Sequence, residues 1–198
     1  MTERFAGEPI KNVAVLVTDP RSGKTHTVRG DPIISETGLE GGPVYAHSRQ
    51  IRSNLLADHS TIHIDLFPDL EFDELEEKLS KRKKGESAAR LLRRCGFSTV
   101  AAALLREVTN NELPADVAQI AELAKAVPIT LDAMAPIDRA ISSAGGVAWS
   151  EVDDAFALLR EPNVMVVGEM LNWEAPTGGY LLQACMSTGR FAAEGMLS

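Results

Sequence analysis

Cysteine is nearly missing from this chain: only Cys95 and Cys185 occur among its 198 residues. No C-x-x-C spacing exists, so neither a redox pair nor a cysteine-based zinc site is expected. Both thiols read as small buried hydrophobes inside helices. Long apolar runs are also lacking, with no stretch of about 18 apolar residues and no N-terminal apolar core of a signal peptide. The expectation is a cytoplasmic chain that does not enter a membrane. Clustered positive charge is scarce as well, the net charge being −8. Binding to nucleic acid or to anionic membranes needs such clusters, so neither is expected as a partner. The one basic run, Lys81-Arg82-Lys83-Lys84, reads as a solvated helix end that offsets Glu74, Glu76 and Glu77. What remains is 44% hydrophobic and 24% charged residues. That composition describes a folded globular chain with one large or two small cores.

Alternation and turn chemistry organise the first part. Val13, Val15 and Val17 alternate, Asp19 to Lys24 carry turn residues, and Thr25 to Ile34 form a second run, predicting a hairpin. Glycines in Thr37-Gly38-Leu39-Glu40-Gly41-Gly42 then lead into one helix over Val44 to Ala57. Thr61 to Leu66 alternate as a strand with Ile62, Ile64 and Leu66 inward. His59 and His63 raise the question of a metal pair, but no third ligand has suitable spacing. From Glu71 to Val127 four short helices are expected: around Phe72, Leu75 and Leu79; around Leu91 and Leu92; capped by Ser98; and starting at Pro114. Nothing in them has catalytic spacing, so they read as scaffold.

The final third holds the candidate site. Val127 to Leu131 reads as a strand, and a segment with Ser143-Ala144-Gly145-Gly146-Val147 follows. Glu151 to Leu159 should form a short strand or hairpin. The apolar run Val164 to Val167 then enters Gly168-Glu169, a polar loop, Thr177-Gly178-Gly179 and a helix ending near Ala193. Gly178 and Gly179 allow a sharp turn and a close approach to their N–H groups. The first helical turn leaves its own N–H groups without internal partners. An electron-rich group is therefore favoured there, by about 0.3–1 kcal/mol when exposed and up to about 2 when partly buried. Glycines that merely relieve crowding at a helix start, or at a crossing of two backbones in the case of Gly145 and Gly146, are the competing readings.

The ordered series Ser143-Ala144-Gly145-Gly146-Val147, Glu151-Val152-Asp153, Gly168-Glu169 and Ala175-Pro176-Thr177-Gly178-Gly179-Tyr180-Leu181-Leu182-Gln183 resembles the C-terminal signature of bacterial NAD(P)/FAD-dependent oxidoreductases of the aminoacetone-oxidase-like family. Phe5 to Val13 and Thr37 to Tyr45 extend the likeness towards the N-terminus. The resemblance implies an α+β fold. Residues 1–136 would form an inserted, substrate-side domain of strands with a small helical subdomain, and 137–198 the C-terminal strand, loop and helix of an FAD domain of the two-dinucleotide-binding type. The G-x-G-x-x-G turn that holds the ADP half of FAD in such proteins is absent here. The chain is thus expected to be the C-terminal portion of a flavoprotein.

FAD is the implied cofactor, with NAD(P)H as a co-substrate. The implied cofactor-binding residues are Gly145, Gly146, Gly168, Glu169, Thr177, Gly178, Gly179, Tyr180 and Leu181. Glu169, just after a strand, would accept hydrogen bonds from ribityl or ribose hydroxyls. Trp173 could wall the ring, whereas Tyr180 is expected to pack. No acid–base pair stands out, so no catalytic residue is named. Partners would be a small-molecule substrate and either an N-terminal FAD-binding half or further copies of the chain, because the last strand and helix should expose an apolar face and an unpaired edge. A structural or interaction module that keeps the fold without binding cofactor is the alternative.

Overall fold

A computed structural model describes residues 2–58, 60–83, 85–140 and 142–197. The chain divides into two compact units, Met1–Met134 and Ala135–Ser198. His59, Lys84 and Ile141 lie outside the described residues, and the reading of a His59–His63 pair goes with them.

In the first unit β1 (Val13–Thr18) and β2 (Thr25–Gly30) form the expected antiparallel hairpin, in register from Val13 opposite Gly30 to Thr18 opposite Thr25. Asp19 fixes the turn by accepting hydrogen bonds from the Arg21 N–H (2.9 Å) and the Ser22 hydroxyl (2.8 Å). Those donors hold its carboxyl below the usual range. The second run stops earlier than its composition suggests. Gly30 adopts φ +152°, and a Cβ there would lie 2.7 Å from Pro43 Cγ, so the chain bends at Gly30. Pro32, with no N–H for a ladder, completes the break. The remaining apolar pair forms β3 (Ile33–Ile34), which pairs with β4 (Leu39–Glu40).

The expected single helix over Val44 to Ala57 is two: α2 (Gly42–Ala46) and α3 (Ser48–Ala57). The break falls at His47, whose ring is buried with Nε2 3.0 Å from the Val15 carbonyl oxygen. Its backbone leaves the helical region to place the ring on β1 (φ −98°, ψ 0°). Burial pushes the imidazole below its ordinary value of 6.5, against the opposing pull of the Val15 carbonyl.

β5 (Ser60–Asp65) pairs antiparallel with β1, and β6 (Val127–Leu131) antiparallel with β5. The sheet order is β2-β1-β5-β6. Alternate residues Val13, Val15 and Val17 of β1, with Ile62 and Ile64 of β5, point to one face. One end of that face is covered by α4 (Phe72–Ser80), α5 (Ala88–Arg94), α6 (Thr99–Val108) and α7 (Val117–Lys125). Leu75, Leu79, Leu91, Leu92, Leu105 and Ile120 meet Ile10, Val13 and Ile64 there. Each such side chain removed from water stabilises by about 1.5–3 kcal/mol. The other end, with Val15, Val17 and Ile62, is covered by Ile51 of α3.

The helices start where their caps are. Ser98 accepts a hydrogen bond from the Ala101 N–H (3.1 Å), as its position predicts. The fourth helix begins later than Pro114, because Asp116 caps it through the Ala118 N–H (3.1 Å). Asp65, on the polar face of β5, pairs with Lys125 at 2.7 Å, and the same ammonium donates to the carbonyls of Phe67 and Leu70. Among the described residues no cluster of His, Cys, Asp and Glu could hold a metal ion.

The second unit has little core. β7 (Ala157–Leu158) and β8 (Glu161–Met165) form a hairpin, so the strand sits earlier than the apolar run Val164 to Val167. Pairing with β7 sets its span, and Val166 continues inward through a 2.9 Å bond from its N–H to the Phe156 carbonyl. Phe156 adopts φ +67°, with its ring 6.2 Å from that of Trp149 and 5.8 Å from that of Phe191. A single 3-10 turn (Gly168–Met170) leads through a loop to the long helix α8 (Tyr180–Met196). Of the two cysteines, one is buried as expected and one is not. Cys95 caps the C-terminal end of α5 and is buried, which pushes its thiol up. Cys185 lies in α8 and is only half-buried, because that helix presents little of itself to a core.

Candidate functional site

Two glycine-bearing groups make up the candidate site, and α8 connects them. In the first, the segment around Val147 runs parallel to Leu171. The Val147 N–H donates to the Met170 carbonyl and the Asn172 N–H to the Val147 carbonyl, each at 2.8 Å. A Cβ on Gly146 would lie 2.5 Å from the Met170 oxygen and 2.8 Å from the Leu171 carbonyl carbon. The crossing of two backbones therefore requires glycine at 146. Gly145 differs: φ is +101° and nothing lies within 4 Å of where its Cβ would be.

Glu169 ties this segment down by accepting the Ser143 N–H at 2.8 Å. Its neighbour Gly168 (φ +63°) seats the turn on α8. The Gly168 N–H donates to the Thr188 hydroxyl at 3.0 Å, and a Cβ on it would lie 2.8 Å from Cys185 Sγ. Gly145, Gly146, Gly168 and Glu169 are thus brought together, one to two turns into α8.

The second group is the start of that helix. Gly178 (φ +106°) and Gly179 (φ +86°) turn the chain, and Gly179 stands at the N-cap without a side-chain cap. The Gln183 N–H bonds back to the Gly179 carbonyl at 3.0 Å. The N–H groups of Tyr180, Leu181 and Leu182 precede that bond and have no helical acceptor. Thr177, Gly178, Gly179 and Tyr180 are exposed and Leu181 is half-buried. A Cβ at Gly179 would meet nothing within 4 Å, and one at Gly178 only the Tyr180 ring at 3.7 Å. Tyr180, expected to pack, is 60% exposed. The αL turn at Gly179 carries its ring outward. Trp173 is half-buried.

Sequence reasoning passed over three contributors: the Ser143 N–H, Thr188, and Trp149, whose indole N–H donates to the Asn172 carbonyl at 3.1 Å. Thr188 stands three residues after Cys185 on the same helix, a spacing that puts both on one face. The Ser143 and Trp149 bonds span 26 and 23 residues and leave no local trace.

Taken together, the donor set is a row of unpaired amides at a helix N-terminus, fronted by glycines with open space beside them. It suits an electron-rich acceptor, a phosphate or the carbonyl edge of a flavin ring alike. Among the described residues no helix is long and apolar enough to cross a membrane.

The fold defines a mixed α+β protein: an antiparallel sheet covered by four capped helices, followed by a small unit that ends in a glycine-fronted helix. The chain belongs to the family described as the HI0933-like protein barrel and H2TH domain, which matches residues 1–142. That family is associated with FAD-binding proteins. The matched stretch takes in the sheet and helices α4 to α7 and ends before Gly145. No curated protein matches the chain.

Proposed function

We propose that this chain supplies the flavin-facing loops and the substrate-side domain of an FAD-dependent oxidoreductase of the aminoacetone-oxidase-like kind. Residues 1–136 would serve as the substrate-side domain and 137–198 as the C-terminal piece of the FAD domain. The observation that carries the reading is the uncapped N-terminus of α8 behind Gly178 and Gly179. Its family supplies the context.

The flavin would supply the electron-transfer chemistry, and the protein positions it. The amides of Gly178, Gly179 and Tyr180 would present their N–H groups to the ring's carbonyl edge, with that of Leu181 next in the row, aided by the positive end of the helix dipole. Gly178 and Thr177 shape the approach to those amides. Gly145 leaves room for a flat group to lie against backbone, and Gly146 and Gly168 hold the supporting crossing and turn in place. Glu169, by fixing Ser143, keeps that segment beside the turn and retains a second carboxylate oxygen for a hydroxyl of the cofactor's chain. A small-molecule substrate, NAD(P)H as a co-substrate, and either an N-terminal FAD-binding half or further copies of the chain complete the reading.

The test is a visible absorbance spectrum of the purified chain, followed by titration with FAD alone and then with a supplied N-terminal dinucleotide-binding half. A flavin band that stays with the protein through gel filtration supports the proposal. No retained flavin under either condition would sink it and leave a structural or interaction module.

A further inference from the structure

The chain-wide excess of acid conceals a local excess of base. Residues 78–94 contain eight of the chain's twenty Lys and Arg, and Glu86 is their one carboxylate. The fold gathers the described ones at one place. Cys95 Sγ donates to the Lys78 carbonyl at 3.4 Å and Arg94 Nη2 to the Lys81 carbonyl at 3.0 Å, joining the C-terminal ends of α4 and α5. The intervening loop is drawn onto them by Glu86, which accepts Arg94 Nε and Nη2 and the Lys83 N–H, each at 3.1 Å. Arg82 closes the loop by donating to the Glu86 carbonyl at 3.1 Å.

The single carboxylate is therefore spent inside: its side chain is 4% exposed. Lys81 pairs with Glu77. Lys78, Lys83, Arg90 and Arg93 are exposed, and among the described residues none of their side-chain nitrogens forms an ion pair, although the Lys83 backbone and charge both act on Glu86. Arg90 and Arg93, three apart on α5, share a face. At Gly85 (φ +78°) a Cβ would meet nothing within 4 Å, so the loop backbone is open to approach.

We propose that this surface binds the phosphodiester backbone of a double-stranded nucleic acid, without reading its sequence. The patch has charge but no apolar anchor, since Leu79, Leu91, Leu92, Cys95 and Phe97 are all buried. A protein interface ordinarily has an apolar or aromatic centre and is depleted of Lys. A membrane-surface helix needs exposed apolar residues beside its cations, and binding of single strands relies on exposed aromatics for stacking. Spaced cations alone match a row of phosphates. The acidity elsewhere opposes this attraction at long range, so binding belongs to low salt, where four phosphate contacts give a fall on the order of 10²-fold between 50 and 200 mM salt.

The experiment is fluorescence anisotropy of the full chain with a labelled random-sequence duplex at both salt concentrations. Two variants of equal charge change are compared: Lys83→Gln/Arg90→Gln/Arg93→Gln in the patch, and Lys11→Gln/Arg21→Gln/Lys24→Gln at the β1–β2 end, with circular dichroism confirming that both fold. The expected result is binding at 50 mM that falls with salt as stated, is lost in the patch variant and is kept in the other. No binding at 50 mM, equal loss in both variants, or patch-dependent binding to anionic phospholipid vesicles but not to the duplex would overturn the proposal.

Discussion

The two units of this chain are built on different terms. In Met1–Met134 each helix of the α4–α7 group buries a face, and Leu75, Leu79, Leu92 and Leu105 are removed from water altogether. Among the described residues of Ala135–Ser198 the buried apolar ones are Ala157, Val166, Leu171 and Ala192, while Leu182, Met186, Phe191 and Met196 of α8 are more than half exposed. A helix of 17 residues that buries one alanine draws little stability from its own unit. The first unit is held by packing. The second is held by a handful of backbone bonds and glycine-permitted close approaches, and leaves apolar surface for something else to cover.

Both tryptophans, Trp149 and Trp173, fall in the second unit, whereas most of the short helices fall in the first. Urea unfolding followed by tryptophan fluorescence should therefore precede unfolding followed by circular dichroism. The comparison breaks if the two curves coincide. Leu105→Ala should lower the stability read by circular dichroism by about 2–5 kcal/mol, the range for a fully buried leucine. It should leave the tryptophan curve where it was.

Gly146→Ala should act the other way round. Backbone strain alone contributes about 1–3 kcal/mol, and the Met170 carbonyl must also move, so the tryptophan curve should shift to lower urea with the dichroism curve held. A variant that leaves the tryptophan curve unchanged would show that the crossing does not hold the unit together.

Acid should sharpen the contrast through two groups of the first unit. Hydrogen bonds from Arg94 hold the Glu86 carboxyl down to about 2 from an ordinary 4.5. A carboxylate depressed on folding contributes stability that is present above 4.5 and is lost as pH falls towards 2. His47, kept neutral by burial, acts in a higher window. The unfolded chain takes up its proton near 6.5 and the folded chain resists, so stability falls as pH drops below 6.5. The dichroism midpoint should thus decline in two separate steps, with His47→Gln removing the upper and Glu86→Gln the lower. A single step at the same pH in both variants would contradict the assignment.

The smallest effect is a gain. Ser60 Oγ is buried without a hydrogen-bond partner among the described residues. An unsatisfied buried polar group costs about 1–3 kcal/mol, so Ser60→Ala should raise the dichroism midpoint, by about 1 kcal/mol, whereas a loss would mean that the hydroxyl has a partner such as a bound water.

Local pattern made the first unit legible. Alternation marked β1 and β5, and Ser98 marked the start of α6, because each signal lies within a few residues of what it specifies. His47 broke the helix over Val44 to Ala57 for a carbonyl 32 residues away, and no local pattern announces that. The glycines of the candidate site were visible as glycines, but their separate duties were not: Gly146 and Gly168 face neighbouring atoms, whereas Gly145 and Gly179 face open space. The basic patch was half visible, as the run at 81–84. Its other half comes from Arg90 and Arg93 on the next helix, and only the Glu86 clamp shows that they belong together.

The pairing of β5 with β6 sets Ile64 opposite Val127, so everything between them, all four capped helices, leaves and re-enters the sheet at adjacent points. Joining those strands in an unfolded chain means closing a loop of some sixty residues, a loss of about 3–4 kcal/mol in chain entropy before any contact repays it. Packing of α4 against α7 holds the two ends of that loop near one another. Lys125 bolts the junction to Asp65, Phe67 and Leu70. The helical block is in this sense the sheet's assembly clamp, and the last strand is expected to dock only after the helices have formed.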